Sequence, residues 1–242
     1  MRRPAVALAA VLVLAGCGGE DAPPPPPEKP VVLLVPGSGF AGVGKWAARK
    51  LVVPPAVWEG MGFRPIAVGY RAGPQGARDV AAAVADARAA HPGASICLYG
   101  ESSGGTWSLL AAAYDREVTC VIAAAAPTDA DTWRDSRWPA SRFYAHRRWP
   151  RMFGRGAADD AYEPVDVWKA RRPRARLMLL YGTADRTVPA QQGRLMAEVA
   201  HGSTLIEMPI GRQPFVHTGV PPRDLLAAIR RIRPFVRKAA GL

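Results

Sequence analysis

Residues 95–105 read Ser-Ile-Cys-Leu-Tyr-Gly-Glu-Ser-Ser-Gly-Gly, and this stretch decides the fold. Its first half is a short apolar run of the kind that forms a strand buried on both faces of a sheet. Residues 104–115, directly after it, are rich in alanine and leucine and predict a helix. A buried strand that passes through glycines straight into a helix is typical of parallel α/β sheets.

The same alternation continues along the rest of the chain. Apolar runs predict further strands at residues 31–35, 63–70, 117–124, 176–181 and 203–208, and helical patterns lie at 45–60, 76–90, 191–200 and 223–238. Pro54 and Pro55 must break or kink the first of these helices, because proline lacks the backbone N–H. We therefore predict an α/β fold with a mostly parallel sheet of about six strands and helices on both faces.

One segment, at about residues 130–173, interrupts this alternation without a strand pattern and is too long for a simple connection. It holds four of the seven tryptophans, Trp133, Trp138, Trp149 and Trp168. We expect a cap insertion over a pocket at the carboxyl edge of the sheet. Its aromatic side chains either line that pocket or pack a small core of their own.

The segment Gly100-Glu101-Ser102-Ser103-Gly104 is a G-x-S-x-G motif between the predicted strand and the predicted helix. A nucleophile elbow needs glycine two residues to either side of the serine, because larger side chains would collide in so sharp a turn. Ser102 is therefore the predicted nucleophile. Ser103 lacks flanking glycines at the right spacing and is the lesser candidate.

A serine nucleophile needs a general base and a carboxylate that orients the base. Of the four histidines, His217 follows the last predicted strand, at the same sheet edge as the elbow, and is the expected base. Asp185 follows the penultimate strand and is the expected acid, which gives the chain order Ser102, Asp185, His217. Asp129, which ends the preceding strand, is the rival acid, and its alternative role is to cap a helix.

The loop at residues 36–40 (PGSGF) follows the first strand and can direct backbone N–H groups at a developing oxyanion. Its proline has no N–H, so the first donor is expected among Ser38, Gly39 and Phe40. The N–H of Ser103, at the predicted helix N-terminus, is the expected second donor. The alternative is a plain strand-to-helix turn.

On these residues the chain resembles the α/β-hydrolase superfamily, and within it the esterases, lipases and dienelactone hydrolases. Residues 100–105 are similar to the elbow of carboxylesterases, and Gly182-x-x-Asp185-x-x-Val188-Pro189 is similar to the segment with the family's acid. The resemblance extends from residue 31 to about residue 236 and implies a serine hydrolase that cleaves carboxylic esters. The family's first two strands have no room here, so we expect a reduced α/β-hydrolase fold. A Pro-Gly also replaces its usual His-Gly before the oxyanion loop.

The first 17 residues resemble the signal of an exported bacterial lipoprotein. Arg2 and Arg3 precede an apolar stretch of about 12 residues, too short to span a membrane. The motif at 14–17 (LAGC) is similar to a lipobox, which is cleaved before an acylated cysteine, here Cys17; the alternative is a plain secretory signal. We expect a signal peptide at 1–16, a lipidated, proline-rich linker at 17–30 and a hydrolase domain at 31–242.

Composition limits the remaining possibilities. The chain has 242 residues, a net charge of +12 and 49% hydrophobic residues, which fits a globular domain and excludes wholesale disorder. Its cysteines and histidines have no zinc-type spacing, so we expect no metal and no cofactor. Cys97 and Cys120, on strands predicted to be neighbours, form either a disulfide or two buried thiols.

We therefore expect an esterase that is anchored through Cys17 to the outer face of the cytoplasmic membrane and acts on a small-molecule ester or lipid. No nucleic-acid partner is expected for an exported chain, and its basic surface either faces anionic lipid or wall polymer or is simply solvated. Two other reactions use the same elbow: peptide cleavage of the prolyl-oligopeptidase type, for whose propeller there is no room, and acyl transfer to a cell-wall lipid. The alternative outside enzymes is a non-catalytic binding lipoprotein, against which the complete triad argues.

Overall fold

The computed structural model describes residues 28–149, 162–209 and 222–242. They form a six-stranded sheet in which all neighbouring strands run parallel, in the order β2-β1-β3-β4-β5-β6. The strands are β1 (Val31–Val35), β2 (Arg64–Ala67), β3 (Ile96–Glu101), β4 (Val118–Ala124), β5 (Arg176–Gly182) and β6 (Thr204–Met208). The predicted reduced α/β-hydrolase fold is confirmed.

Helices connect the strands and cover both faces of the sheet. A 3-10 helix (Lys45–Lys50) and α1 (Pro55–Gly60) follow β1; then come α2 (Pro74–Ala90), α3 (Ser103–Tyr114), α4 (Ala130–Arg134), α5 (Pro139–Arg147), α6 (Pro164–Arg171), α7 (Gln191–Val199) and α8 (Pro222–Ala240). The first predicted helix is broken at its two prolines, and α1 starts at the second of them. Over the described ranges, every helix is too short or too polar to cross a membrane.

Two buried apolar layers lie on the two faces of the sheet, because successive strand residues point to opposite faces. Val31, Leu33 and Val35 of β1 pack in one layer with α2 and α3, and Val32 and Leu34 pack in the other with α1 and α8. Every residue of β1 is fully buried. This burial on both faces explains why the strand is an unbroken aliphatic run in the sequence.

A disulfide joins the two central strands. Cys97 of β3 and Cys120 of β4 are register partners with their Cα atoms 4.6 Å apart, and their sulfur atoms are bonded. The sequence left open whether these residues form a disulfide or remain two buried thiols, and the structure has the disulfide. The covalent loop that it closes includes the turn between β3 and α3.

The segment between β4 and β5 contains α4, α5 and α6 in the position expected for a cap insertion. Trp133 and Trp149 of this segment are buried against Phe40 of the 36–40 loop, at ring-centroid distances of 6.3 and 5.3 Å. Trp168 of α6 donates a hydrogen bond from Nε1 to the Leu109 carbonyl of α3 at 2.8 Å. These three tryptophans thus pack a core that the cap shares with the sheet domain.

Candidate active site

Ser102 lies at the apex of the turn between β3 and α3, as the motif predicts. Its backbone has φ 52° and ψ −127°, a conformation that a residue with a side chain adopts only when the surrounding fold enforces it. The Ser102 N–H donates to the Ala124 carbonyl of β4 at 2.8 Å, and the Ser102 carbonyl accepts from the Gly105 N–H at 2.9 Å. This is the geometry of a nucleophile elbow.

The two glycines of the motif are required by close backbone packing. A Cβ atom at Gly104 would lie 2.1 Å from the Val35 carbonyl oxygen of β1. A Cβ atom at Gly100 would lie 2.4 Å from the Gly104 carbonyl oxygen. Because real Cβ atoms do not approach so closely, only glycine lets β1, β3 and α3 meet at this point.

The 36–40 loop packs directly on the elbow. A Cβ atom at Gly37 would lie 2.9 Å from the Ser102 Cβ, so the loop backbone passes in contact with Ser102. Gly39 and Phe40 have φ values of 62° and 68°, in the left-handed region, which turns the loop back on itself. The Phe40 ring is buried edge-on against Trp107 of α3, 5.4 Å between centroids, and anchors the loop.

The structure corrects the expectation that the Ser38 N–H is an oxyanion donor. This N–H donates to Ser103 Oγ at 2.9 Å. The Tyr70 hydroxyl lies 3.3 Å from the same Oγ and donates to the Pro36 carbonyl at 2.5 Å. Ser38 therefore fastens the 36–40 loop to the start of α3. The sequence did not reveal this role, because the side chain of Ser103 had no obvious partner.

Two of the expected donors remain open to a ligand. Neither the Gly39 N–H nor the Ser103 N–H makes a hydrogen bond with the residues that the structure describes. Ser103 is the first residue of α3, where N–H groups have no partner inside the helix. The helix dipole also favours negative charge at this end.

Asp185 follows β5 and is almost completely buried. Its Oδ1 accepts hydrogen bonds from the N–H groups of Thr187 and Val188 at 2.7 and 2.9 Å. The carboxylate is thus fixed by the turn to which it belongs. Because the strands are parallel and only β4 separates β3 from β5, Asp185 and Ser102 lie on the same edge of the sheet.

Asp129, the rival acid, caps a helix. It is the N-cap residue of α4, and its Oδ1 accepts from the Thr132 N–H at 2.7 Å. Its own N–H donates to Oε1 of the buried Gln192 at 2.9 Å, and Gln192 Oε1 also accepts from the Thr128 N–H at 2.7 Å. Of the two roles that the sequence left open for Asp129, the geometry shows the capping role.

His217, the expected base, and Cys17, the expected lipidation site, both lie outside the described residues. Strand β6 ends at Met208, so the chain leaves the sheet at the carboxyl edge before it reaches His217. His91 and His201 follow α2 and α7 and precede β3 and β6, which places them at the amino edge, opposite the elbow.

A cavity of about 370 Å³ opens beside Ser102 and is lined by the 36–40 loop, the 3-10 helix and Glu101. Glu101 is 4% exposed, and its Oε1 accepts hydrogen bonds from the Val52 N–H at 2.6 Å and from the Tyr99 hydroxyl at 2.5 Å. Burial and the neighbouring carboxylate raise the pKa of Tyr99, so its phenol stays protonated and donates. Glu101 occupies a variable position of the G-x-S-x-G motif, so the motif indicates no role for it.

A second buried carboxyl lies in the cap. Glu163 precedes α6, and its Oε1 accepts from the Ala130 N–H of α4 at 3.2 Å. Burial and then repulsion from Asp129 raise the pKa of Glu163 to about 7. Glu163 and Asp129 therefore share the N-terminal end of one short helix, a juxtaposition that no sequence pattern indicated.

Taken together, the carboxyl edge of the sheet provides a serine on an elbow, a fixed carboxylate and two N–H donors. With a general base, these groups can carry out attack on an acyl carbonyl and stabilise the resulting oxyanion. Within the described ranges, no group of three or more His, Cys, Asp or Glu side chains is placed to hold a metal ion.

The sequence profile of the prolyl oligopeptidase family matches residues 67–207, which include the elbow and Asp185. The chain belongs to the prolyl oligopeptidase family. This membership confirms the predicted superfamily and places the chain among the serine hydrolases. Within the superfamily, the sequence resembles the esterases, lipases and dienelactone hydrolases, and the prolyl oligopeptidase type was the alternative. No curated protein matches the sequence of this chain significantly.

Solved structures of hydrolases share the fold of this prolyl oligopeptidase family member at low sequence identity. A truncated carbohydrate esterase from gut microbiota is 17% identical with a TM-score of 0.69, over 90% of this chain and 88% of that chain. An acetyl ester-xyloside bifunctional hydrolase from Caldicellulosiruptor lactoaceticus is 14% identical with a TM-score of 0.68, over 87% and 83%. A puromycin-hydrolysing peptidase from Mycobacterium tuberculosis is 15% identical with a TM-score of 0.66, over 92% of this chain and 36% of that chain.

Proposed function

We propose that this member of the prolyl oligopeptidase family is an exported serine esterase with Ser102 as nucleophile, His217 as general base and Asp185 as orienting acid. The observation that supports the proposal most strongly is the backbone of Ser102, with φ 52°, held by hydrogen bonds to β4 and α3. Strained conformations of this kind persist where the fold over-determines them and are concentrated at active sites.

The proposed reaction has two half-reactions. Ser102 Oγ bonds to the carbonyl carbon of the ester while its proton passes to His217, and the Gly39 and Ser103 N–H groups stabilise the oxyanion. The tetrahedral adduct expels the alcohol, which takes the proton from His217, and the acyl group remains on Ser102. Water then attacks the acyl-enzyme in the same way and releases the carboxylic acid.

Similarity to solved esterase structures supports an ester substrate. The chain covers 88% of the carbohydrate esterase and 83% of the acetyl ester-xyloside hydrolase, but only 36% of the puromycin-hydrolysing peptidase. The fold thus matches these two esterases over most of their length and the peptidase over about a third of its length. Membership in the prolyl oligopeptidase family favours peptide cleavage as the second candidate function.

We also propose that the enzyme is anchored by an acyl group on Cys17 at the outer face of the cytoplasmic membrane. The LAGC motif at 14–17 and the proline-rich linker support this location. The disulfide between Cys97 and Cys120 supports it independently, because disulfides persist in oxidising compartments. Incorporation of labelled palmitate, lost in a Cys17→Ser variant, would test the anchor.

The test of the proposed activity uses the full chain in detergent and its Ser102→Ala variant. Both are assayed on p-nitrophenyl esters of graded acyl length and on peptide p-nitroanilides. We expect the parent to cleave esters and the variant to show only the background rate. Cleavage of the anilides without cleavage of the esters would favour the peptidase. If both proteins are equally inert on both series, the proposal of an enzyme is rejected and a non-catalytic binding protein is favoured.

A further inference from the structure

We propose that Lys50 binds an anionic group of the substrate in the cavity beside Ser102, so that the enzyme prefers esters with a carboxylate. The inference rests on the proposed esterase function and adds the substrate class. The cavity is lined by Ser102 and, from the 3-10 helix, by Trp46 and Lys50. One bound molecule can therefore reach both Lys50 and Ser102.

Trp46 restricts the position of the Lys50 ammonium. Lys50 Nζ lies 4.9 Å from the centre of the Trp46 ring, within the range of a cation–π contact. The Trp46 side chain is 63% exposed, which leaves ring surface available to a bound molecule. A lysine that is already ordered loses less side-chain entropy when it binds a ligand.

The charge of Lys50 is not neutralised by the described part of the protein. No carboxylate of the described residues lies within ion-pair distance of it. The neighbouring walls of the cavity are apolar, from Val43, Ala47 and Leu51. Because apolar walls reduce solvent screening, an ammonium in this position attracts an anion more strongly than one on an open surface.

Glu101 is the one acidic residue among the described residues that line this cavity, and it would favour a cationic substrate instead. Its side chain is buried, however, and Oε1 is engaged by Val52 and Tyr99 at 2.6 and 2.5 Å. Lys50, in contrast, is exposed. The charge that an entering substrate meets first is therefore positive.

The test compares three p-nitrophenyl esters of equal acyl length: the hexanoate, the anionic hemiadipate and the cationic 6-aminohexanoate. We expect the full-length parent to have the highest kcat/KM on the hemiadipate. In a Lys50→Gln variant, the ratio of hemiadipate to hexanoate kcat/KM should fall about fivefold to tenfold, mostly through KM. Salt at 0.5 M should lower this ratio in the parent and have little effect in the variant.

Two further variants separate recognition from general disruption. Arg49→Gln removes the adjacent cation of the same 3-10 helix, which does not line the cavity, and should leave the ratio unchanged. Gly44→Ala acts through Trp46, because a Cβ atom at residue 44 would lie 2.8 Å from Trp46 Cδ1 and displace the ring. The ratio should then fall although Lys50 is present.

The outcomes also separate this inference from the proposed function. An unchanged ratio in Lys50→Gln, or a preference of the parent for the cationic ester, overturns the inference and leaves ester cleavage at Ser102 intact. A parent that is inert on all three esters and does not react with a fluorophosphonate overturns both.

Discussion

The Ser38 N–H donates a hydrogen bond to Ser103 Oγ at 2.9 Å, and this bond joins the 36–40 loop to the first turn of α3. The two segments that it joins provide the proposed oxyanion donors. Tyr70 strengthens the junction through the Pro36 carbonyl, 2.5 Å from its hydroxyl. Burial raises the pKa of Tyr70, so the phenol keeps its proton. The side chains of Ser103 and Tyr70 thus fix the two segments that hold the proposed oxyanion donors relative to each other.

Replacing Ser103 by alanine should lower kcat without removing the nucleophile. The variant loses the hydrogen bond to Ser38, so the loop donor is less well placed. We expect kcat on p-nitrophenyl esters to fall about tenfold, less than the 10²–10³ typical for loss of a donor. The free energy of unfolding should fall by about 1 kcal/mol. Unchanged kcat in Ser103→Ala would show that the bond does not position the loop.

Alanine at Gly104 should prevent or greatly weaken folding. Its Cβ would lie 2.1 Å from the Val35 carbonyl oxygen, and neither backbone can move away cheaply. We expect the free energy of unfolding to fall by about 3 kcal/mol or more in urea titrations. Gly60→Ala is the matched control, because that position has open space, and it should change stability by less than about 1 kcal/mol. Equal effects at the two positions would contradict the close packing of the elbow.

The substitutions Asp185→Asn and Asp129→Asn distinguish the orienting acid from the helix cap. Asparagine keeps an oxygen acceptor, so the turn of residues 185–188 should persist while the charge that stabilises the imidazolium is lost. We expect kcat to fall about 10³–10⁴-fold in Asp185→Asn. In Asp129→Asn the fall should be less than about threefold. The reverse result would make Asp129 the acid of the site.

Glu163 should make the protein less stable as the pH rises. Its pKa is about 4.5 in the unfolded chain and about 7 in the folded protein, so the folded state binds the proton more tightly. The stabilisation is complete below pH 4.5 and is lost as the pH rises through 7. Glu163→Gln should therefore be more stable than the parent at pH 8, by about 2 kcal/mol because solvent screening reduces the effect of the full shift, and equal to it at pH 4. Parallel stability curves between these pH values would contradict this account.

The sequence predicted the central strands best, because a strand buried on both faces is an unbroken apolar run. Strand β1 was predicted with its observed limits. Strand β2 was predicted at 63–70 but spans only Arg64–Ala67. It lies at the edge of the sheet and pairs with β1 alone, and Tyr70 beyond it bridges to Val43 instead. The limit of an edge strand depends on its pairing with one partner, which its own residues do not show.

In the site, the features that depend on local residue spacing could be predicted from the sequence. The features that depend on tertiary contacts could not. The glycines around Ser102 are required by steric contacts within a sharp local turn, so the motif could be recognised in the sequence. Asp185 was favoured over Asp129, although both follow strands at the same edge; that Asp129 accepts a bond from the Thr132 N–H could not be read from the sequence. The contact between Ser38 and Ser103 joins residues far apart in the chain, which no pattern in one sequence reveals.

The most direct test of the account is reaction of the full chain with a fluorophosphonate, followed by mass spectrometry of its peptides. The account predicts one adduct, on Ser102, that is absent from Ser102→Ala and retained in Ser103→Ala. Lack of any adduct on the folded parent, or an adduct on Ser103 in its place, would contradict the assignment of Ser102 as the nucleophile.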